Sequence, residues 1–344
     1  MTNQNMNKAR TNDNDEFYTL LSEIELEFRH YKDFFRGKRI YCPCDDARWS
    51  NFWWHFFVRF NELGLKSLDA SCFHAGQHGE HWHYEGGCPT EAIREAVWHK
   101  DRSEVLKYCD YEVFEDEGGF QDRMDILKKT DLIATNPPFS LLKEFVPFIV
   151  NAGKEFVIIA NNNCITLKSI WPLVRDGKMF GGYRVNETME FLMPDSYELL
   201  GKAYLDDDGK KHGFVTAISW FTNLDISKRH KPTEYYCRYN PEKHQRYENY
   251  DAINVDSLKE IPCDWPGVMG VPISIDKEFC PEQFEILGMT STSETDPRVE
   301  AIRIPGQKRN RGIIDGVEKY ARILIRWKPE AMPRINEKGV IIYD

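Results

Sequence analysis

Ten residues restrict the fold of this chain more than any other stretch: Asp131-Leu-Ile-Ala-Thr-Asn136-Pro137-Pro138-Phe139-Ser140. The apolar run is short and aliphatic and gives way at once to turn residues, which is the pattern of a buried parallel strand. Two consecutive prolines fix φ and remove two amide donors, so neither strand nor helix continues through them. The next residues, 141–151, are apolar at Leu142, Phe145, Val146 and Ile149, a helical spacing. Strand, rigid turn and helix in succession predict an open α/β sheet. Thr135 and Asn136 then point into the crevice beyond the strand's carboxyl end, where such sheets bind ligands.

A loop of this composition suits chemistry on an amino group attached to a flat ring. The Asn136 side-chain oxygen and the Pro137 carbonyl are both acceptors, and together they hold one NH2 group. Pro138 keeps the turn rigid, and Phe139 offers an apolar face for stacking. The tetrapeptide resembles the Asn-Pro-Pro-Phe signature of amino-methyltransferases that use S-adenosylmethionine (AdoMet). The competing reading is a capping turn in an unrelated α/β protein; the flanking strand and helix favour the first. Asn136, Pro137, Pro138 and Phe139 are the candidate catalytic residues.

A second strand–turn–helix unit lies upstream. Residues 39–42 read as the first core strand, Pro43-Cys44-Asp45-Asp46 breaks it, and a helix follows over 48–63, closed by Gly64. That helix is strongly aromatic, with Trp49, Phe52, Trp53, Trp54, Phe56, Phe57 and Phe60. The turn has no Gly-x-Gly-x-x-Gly, which argues against a dinucleotide pyrophosphate. Paired acids suit a ligand that carries an ammonium and hydroxyl groups. Further strands are expected at 65–70, with Asp69 near its end placed for ribose hydroxyls, and at 155–161 and 215–222. Before the first of these, Asp15-Glu-Phe-Tyr18-Thr19 precedes an amphipathic helix reaching Phe28.

The chain has 344 residues, 41% hydrophobic and 13% aromatic, enough for a full α/β domain and a smaller second region. No apolar run approaches the length of a membrane span. Residues 1–14 are polar and Asn-rich, lack the apolar core of a secretion signal, and read as a flexible tail. Nine cysteines without a small-scaffold pattern suggest reduced thiols and a cytoplasmic setting. Cys72, His74, His78, His81, His83 and Cys88 include zinc-binding residue types, but the spacing is irregular and holds no Cys-x-x-Cys. That stretch reads as a polar surface insertion, and no metal is assigned.

From about Asp225 the long helical patterns stop and prolines, tyrosines and charges rise. The net charge of −10 lies almost wholly before this point, since residues 225–344 hold 19 Lys+Arg against 20 Asp+Glu. Within 298–328, nine basic residues face three acids. In so acidic a chain this window is a candidate phosphate-contacting region, with a solvated basic face as the alternative. Arg309 and Arg311 lie in what reads as a mobile polar loop. Arg322 and Arg326 share one face of a strand with Leu324 and are expected to point outward.

Taken in order, these stretches resemble the EcoRI-type adenine-N6 DNA methyltransferases. The matching segments are Asp-Glu-Phe-Tyr-Thr (15–19), Tyr-Cys-Pro-Cys-Asp-Asp-Ala-Arg (41–48), Thr-Asn-Pro-Pro-Phe-Ser (135–140) and Ile-Ile-Ala-Asn (158–161). Asn-Tyr-Asp-Ala-Ile-Asn-Val (249–255), Gly-Val-Met-Gly-Val-Pro-Ile (267–273), Pro-Glu-Gln-Phe-Glu (281–285) and Arg-Ile-Leu-Ile (322–325) continue the match. The resemblance implies a Rossmann-like AdoMet-dependent domain over 15–224 with a seven-stranded mixed sheet, and a C-terminal DNA-recognition region over 225–344. It places 15–19 and 41–46 at the cofactor, so that Tyr18, Thr19, Cys42, Asp45 and Asp46, with Asn136, are the candidate cofactor residues; Arg309, Arg311, Arg322 and Arg326 of the basic window are the candidate DNA contacts. It further implies double-stranded DNA as substrate, with a cognate restriction endonuclease sharing the target site without a stable complex. The rivals are an amino-methyltransferase acting on RNA or on a protein glutamine, and a catalytically inactive DNA-binding relative.

Overall fold

The structure is a computed structural model that describes residues 18–74, 78–115, 119–194, 202–291, 295–338 and 340–343. The tail and residues 15–17 of the first matching segment lie outside the described residues. The chain forms two compact units. One comprises the described residues up to Cys164 together with Gly181–Leu224; the other comprises Ile165–Phe180 and the residues from Asp225 onward.

The first unit is built on a mixed sheet, consistent with an AdoMet methyltransferase fold. The strands along its main path are β1 (Tyr18–Thr19), β2 (Arg39–Pro43), β3 (Ser67–His74), β4 (His78–Tyr84), β5 (Asp110–Phe114), β6 (Leu132–Thr135), β7 (Glu155–Asn161), β8 (Glu187–Leu192) and β9 (Lys211–Thr222), with two two-residue strands beside β9. Along the sheet they run β1-β8-β9-β7-β6-β2-β3-β4-β5. The four central strands, β7, β6, β2 and β3, are mutually parallel, and the outer ones are antiparallel. Burial on both faces explains why β6 and β7 are nearly continuous aliphatic runs. Chain order reverses between β2 and β6: β2 leads through a helix to β3 on one side, while β6 lies on the other. Their carboxyl ends therefore flank a crevice.

Nine strands lie along this path rather than the expected seven, and the His-rich stretch is one of them, not a surface insertion. It is β4, hydrogen-bonded between β3 and β5. Alternation resolves its mixed composition. Trp82 and Tyr84 bury on one face, where Tyr84 meets the rings of Phe57 at 4.6 Å and Phe60 at 4.8 Å. His81 and His83 turn to the other face and meet Asp69 of β3 at 2.9 and 2.8 Å.

The expected helix over 48–63 is two helices, Asn51–Val58 and Phe60–Leu63. The Ser50 hydroxyl caps the first by accepting from the amides of Phe52 (3.0 Å) and Trp53 (3.3 Å). Gly64 ends the second in the left-handed conformation, φ 58°. Phe52, Trp53, Phe56 and Phe57 fill the core, but Trp49 precedes the cap and is 65% exposed. The Leu21–Phe28 helix packs here through Phe28, whose ring lies 5.8 Å from Phe52 and 5.4 Å from Phe56.

The second unit holds a four-stranded sheet of β10 (Ala252–Asn254), β11 (Val268–Pro272), β12 (Phe284–Met289) and β13 (Arg322–Trp327), in the order β10-β11-β13-β12. Tyr247, Tyr250, Val299, Ile314 and Leu324 form part of its core. β13 is an interior strand, and Leu324 is as buried as Ile323 and Ile325. The expected division into a packed face and an outward arginine face fails at its centre, because Leu324 packs in the cluster with Tyr247, Tyr250 and Val299.

Candidate active site

One hydrogen-bonded chain joins the three segments that sequence reasoning placed at the cofactor. It begins at Thr19, whose carbonyl accepts from Asn51 Nδ2 at 2.9 Å. Asn51 follows Ser50, and the Ser50 hydroxyl donates to Asp45 Oδ1 at 2.6 Å. The other Asp45 oxygen, Oδ2, lies 2.6 Å from Thr135 Oγ1, which is also 2.5 Å from the Pro43 carbonyl. Asn136 comes next in the chain. Residues far apart in sequence thus converge between the carboxyl ends of β2 and β6.

Arg102 braces this arrangement, donating to the Ser50 carbonyl and to Asn51 Oδ1, each at 2.7 Å. Its guanidinium also lies over Trp54, 4.9 Å from the ring centroid. Burial lowers its pKa to about 10. Neither Ser50 nor Arg102 was singled out in the sequence. Ser50 carried a usable signal as a serine ahead of an apolar run; Arg102, about fifty residues away, carried none.

The candidate residues differ in what they present. Thr19 is buried, and its hydroxyl has no hydrogen-bond partner among the described residues. Tyr18 is partly exposed beside it. Cys42 is fully buried within β2, where burial pushes its thiol pKa up, so it packs the strand and offers no accessible sulfur. Asp45 is 8% exposed and engaged through both oxygens, and its amide donates to Ser71 O at 2.8 Å. Asp46 is forked by Arg48, with contacts of 2.6–3.0 Å, and Arg48 also pairs with Glu80. With one guanidinium between two carboxylates, this trio keeps a net negative charge. In the loop beyond β6, Pro137 is buried while Asn136, Pro138 and Phe139 are half-buried. The Asn136 amide oxygen is itself shielded from solvent. A 3-10 turn, Phe139–Leu141, leads directly into the Leu142–Asn151 helix.

The second unit distributes the basic window unevenly. Arg322 has an 11% exposed side chain and pairs with Asp256 at 3.0 Å, so it is not an outward-facing residue. Arg326 is exposed but pairs with Glu285 at 2.6 Å, and Arg309 pairs with Glu300 at 2.5 Å. The exposed Arg311 side chain has no ion-pair partner among the described residues. Its loop was expected to be mobile, yet it is tied down. Buried Asn249 donates to the carbonyls of Lys308 (3.2 Å) and Arg311 (2.9 Å) and accepts from the Ile313 amide (2.9 Å). Tyr250 donates to the Asn310 carbonyl at 2.8 Å. Two neighbouring residues of the 249–255 segment thereby set the conformation of the loop.

The family model for the adenine-specific methyltransferase EcoRI matches residues 5–328. This chain belongs to that family. Family membership makes it an adenine-specific DNA methyltransferase. It is 39% identical to the type II methyltransferase M.EcoRI of Escherichia coli over 297 residues, covering 83% of this chain and 89% of the relative. It is 31% identical to the type II methyltransferase M.MpnI of Mycoplasma pneumoniae over 332 residues, covering 93% and 97%. M.MgeORF184P of Mycoplasma genitalium, also a type II methyltransferase, is 29% identical with similar coverage, 93% and 98%. No solved structure gives a significant match. No helix among the described residues is long and apolar enough to cross a membrane.

Proposed function

We propose that the crevice between β2 and β6 transfers a methyl group from AdoMet to N6 of an adenine flipped out of duplex DNA at a specific site. The observation that carries this reading is the chain from Thr19 through Asn51, Ser50 and Asp45 to Thr135. It fixes the Asn136–Phe139 loop against the acidic turn at the point where the strand order reverses.

The residues present fit AdoMet. The buried Thr19 hydroxyl supplies an uncommitted polar atom at the crevice. The negative Asp46–Arg48–Glu80 trio suits an ammonium, and the absence of a glycine-rich phosphate loop suits a ligand without phosphate. Tyr18, Thr19 and Asp46 would hold it. Asp45 acts as the joint that positions the loop, since Ser50 and Thr135 occupy its two oxygens. Bound AdoMet supplies a methyl group already activated on a sulfonium, so the protein's contribution is position and electrostatics.

For the base, Asn136 Oδ1 and the Pro137 carbonyl accept from N6 and orient its lone pair, Pro138 keeps the loop rigid, and Phe139 stacks on the ring. Adenine N6 is inaccessible in the helix stack, so the base must swing out, at a cost of a few kcal/mol. The region from 225 to 344 is proposed to recognise DNA, with Arg311 as the foremost phosphate contact and Arg309 and Arg326 exchanging their acidic partners for phosphates. Arg322 supports the strand rather than reaching DNA.

Incubating the purified protein with labelled AdoMet and duplex DNA, RNA or protein tests the substrate class. Methylation-sensitive sequencing of DNA from expressing cells then reads the site. Label appearing on RNA or protein but not on duplex DNA would overturn the reading.

A further inference from the structure

The histidines of β4 have no part in the proposed transfer, yet they build an ordered cluster. Asp69 of β3 receives His81 Nε2 at 2.9 Å and His83 Nδ1 at 2.8 Å on the same oxygen, Oδ1. One atom from each of the three residues lies within 4.8 Å of the other two. Cross-strand register creates this convergence: Asp69 sits opposite His83, and Ser71 opposite His81. Each histidine also has a carboxylate at its outer nitrogen. Glu112 lies 3.6 Å from His81 Nδ1, and Glu85 lies 3.2 Å from His83 Nε2.

We propose that Asp69, His81 and His83 bind one divalent transition-metal ion, zinc by preference, which fastens β4 to β3. Two imidazole nitrogens and one carboxylate oxygen form a donor set zinc accepts, and the outer carboxylates are the partners that orient metal-bound histidines. Tetrahedral zinc with bonds of 2.0–2.1 Å needs its ligand atoms about 3.3 Å apart, so the two short contacts must open by only about half an ångström. A pocket of about 370 Å³ adjoins the cluster and leaves room for a water as fourth ligand. Five carboxylates and three basic side chains line it, a balance that favours a cation. Arg123, the basic group nearest Glu112 at 3.4 Å, is itself answered by Asp125 at 3.1 Å. Binding needs a lone pair on each inner nitrogen, so any proton there passes to solvent or to the outer nitrogen facing Glu112 or Glu85, and no redox step is involved.

The test uses the full-length protein, freed of metal by chelator and titrated with zinc chloride by calorimetry. Cobalt absorption serves as a second readout of coordination. Wild type is expected to bind one equivalent and to melt at higher temperature with zinc. His81→Ala and His83→Ala should each weaken binding by tenfold or more. Glu112→Gln, a partly exposed outer position that leaves the core intact, should weaken it by roughly tenfold. Cys72→Ser should leave binding unchanged. Loss of binding in Cys72→Ser, with the histidine variants unaffected, would place the ion at the nearby Asp46–Cys72–Glu80 group and overturn the assignment. No binding by wild type would mean that the two imidazoles simply hydrogen-bond to Asp69, and would overturn it equally.

Discussion

The crevice and the basic window are both defined by short motifs, but the structure treats them oppositely. At the crevice, residues 19, 45, 50 and 135 come from separate segments and meet in one hydrogen-bonded chain. In the window, neighbouring arginines disperse to different acids: Arg309 to Glu300, Arg322 to Asp256, Arg326 to Glu285. A motif made of turn chemistry keeps its meaning in three dimensions, because prolines and caps act on their own backbone. A motif made of net charge does not, because its counter-ions can arrive from anywhere in the chain. The useful cations in the window are those that no ion pair answers among the described residues, Arg311 the one arginine of them.

The largest effect is expected at the crevice. Asn136→Ala should lower methyl transfer on the order of 100-fold or more, since it removes positioning and electrostatics at the reacting amine together. AdoMet affinity should stay within a few fold. Single-turnover assays on the purified variant check this, and near-normal turnover would detach the motif from the chemistry.

The same contrast explains what the sequence disclosed. The strand Leu132–Thr135, the Pro-Pro turn and the helix Leu142–Asn151 were legible because periodicity and proline act locally. β4 was not. Its polar residues looked like a surface, yet Glu80 and His81 are buried because partners on neighbouring strands and in the 46–48 turn satisfy them. Leu324 and Arg322 misled in the same way: alternation implies one open face, but Tyr247, Tyr250 and Val299 pack with Leu324 and Asp256 meets Arg322, partners the pattern could not reveal.

The next largest effect tests whether the window depends on its clamp. Asn249→Ala strips hydrogen bonds from several loop groups at once and should cost about 2 kcal/mol of stability, the scale for buried groups left unsatisfied. Thermal melting should show the loss, while AdoMet binding remains as in wild type. Cognate DNA methylation should fall with it. An unaltered melting temperature would mean that the loop holds itself.

Asp45→Asn combined with Asp46→Asn should weaken AdoMet by about tenfold, roughly 1.4 kcal/mol. The two sites divide the effect by role. Asp45→Asn alone disturbs the joint with Ser50 and Thr135 and should lower thermal stability as well as affinity. Asp46→Asn alone should change affinity and spare stability, because its partner Arg48 retains Glu80. Calorimetry paired with melting curves separates them. Equal stability losses would show that Asp46 is structural too.

The smallest effect discriminates most sharply within the window. Each phosphate contact contributes about 0.9 to the slope of log affinity against log salt on duplex DNA. Arg311→Ala should therefore shallow that slope by about one unit and weaken all DNA sequences alike. If Arg311 reads a guanine instead, its loss should relax specificity at one position, at about 1–3 kcal/mol. Arg322→Ala should do neither, because its guanidinium is buried against Asp256 and near Asn254, 3.4 Å away. It should lower the melting temperature and leave the salt slope of the folded protein unchanged. Arg309→Ala and Arg326→Ala should fall between, since each must give up an acidic partner before it meets a phosphate and so recovers less than a full contact. A slope that fell equally for Arg311 and Arg322 would dissolve the distinction between answered and unanswered cations. It would require β13 to open in the complex and expose an arginine that the free protein keeps for its own core.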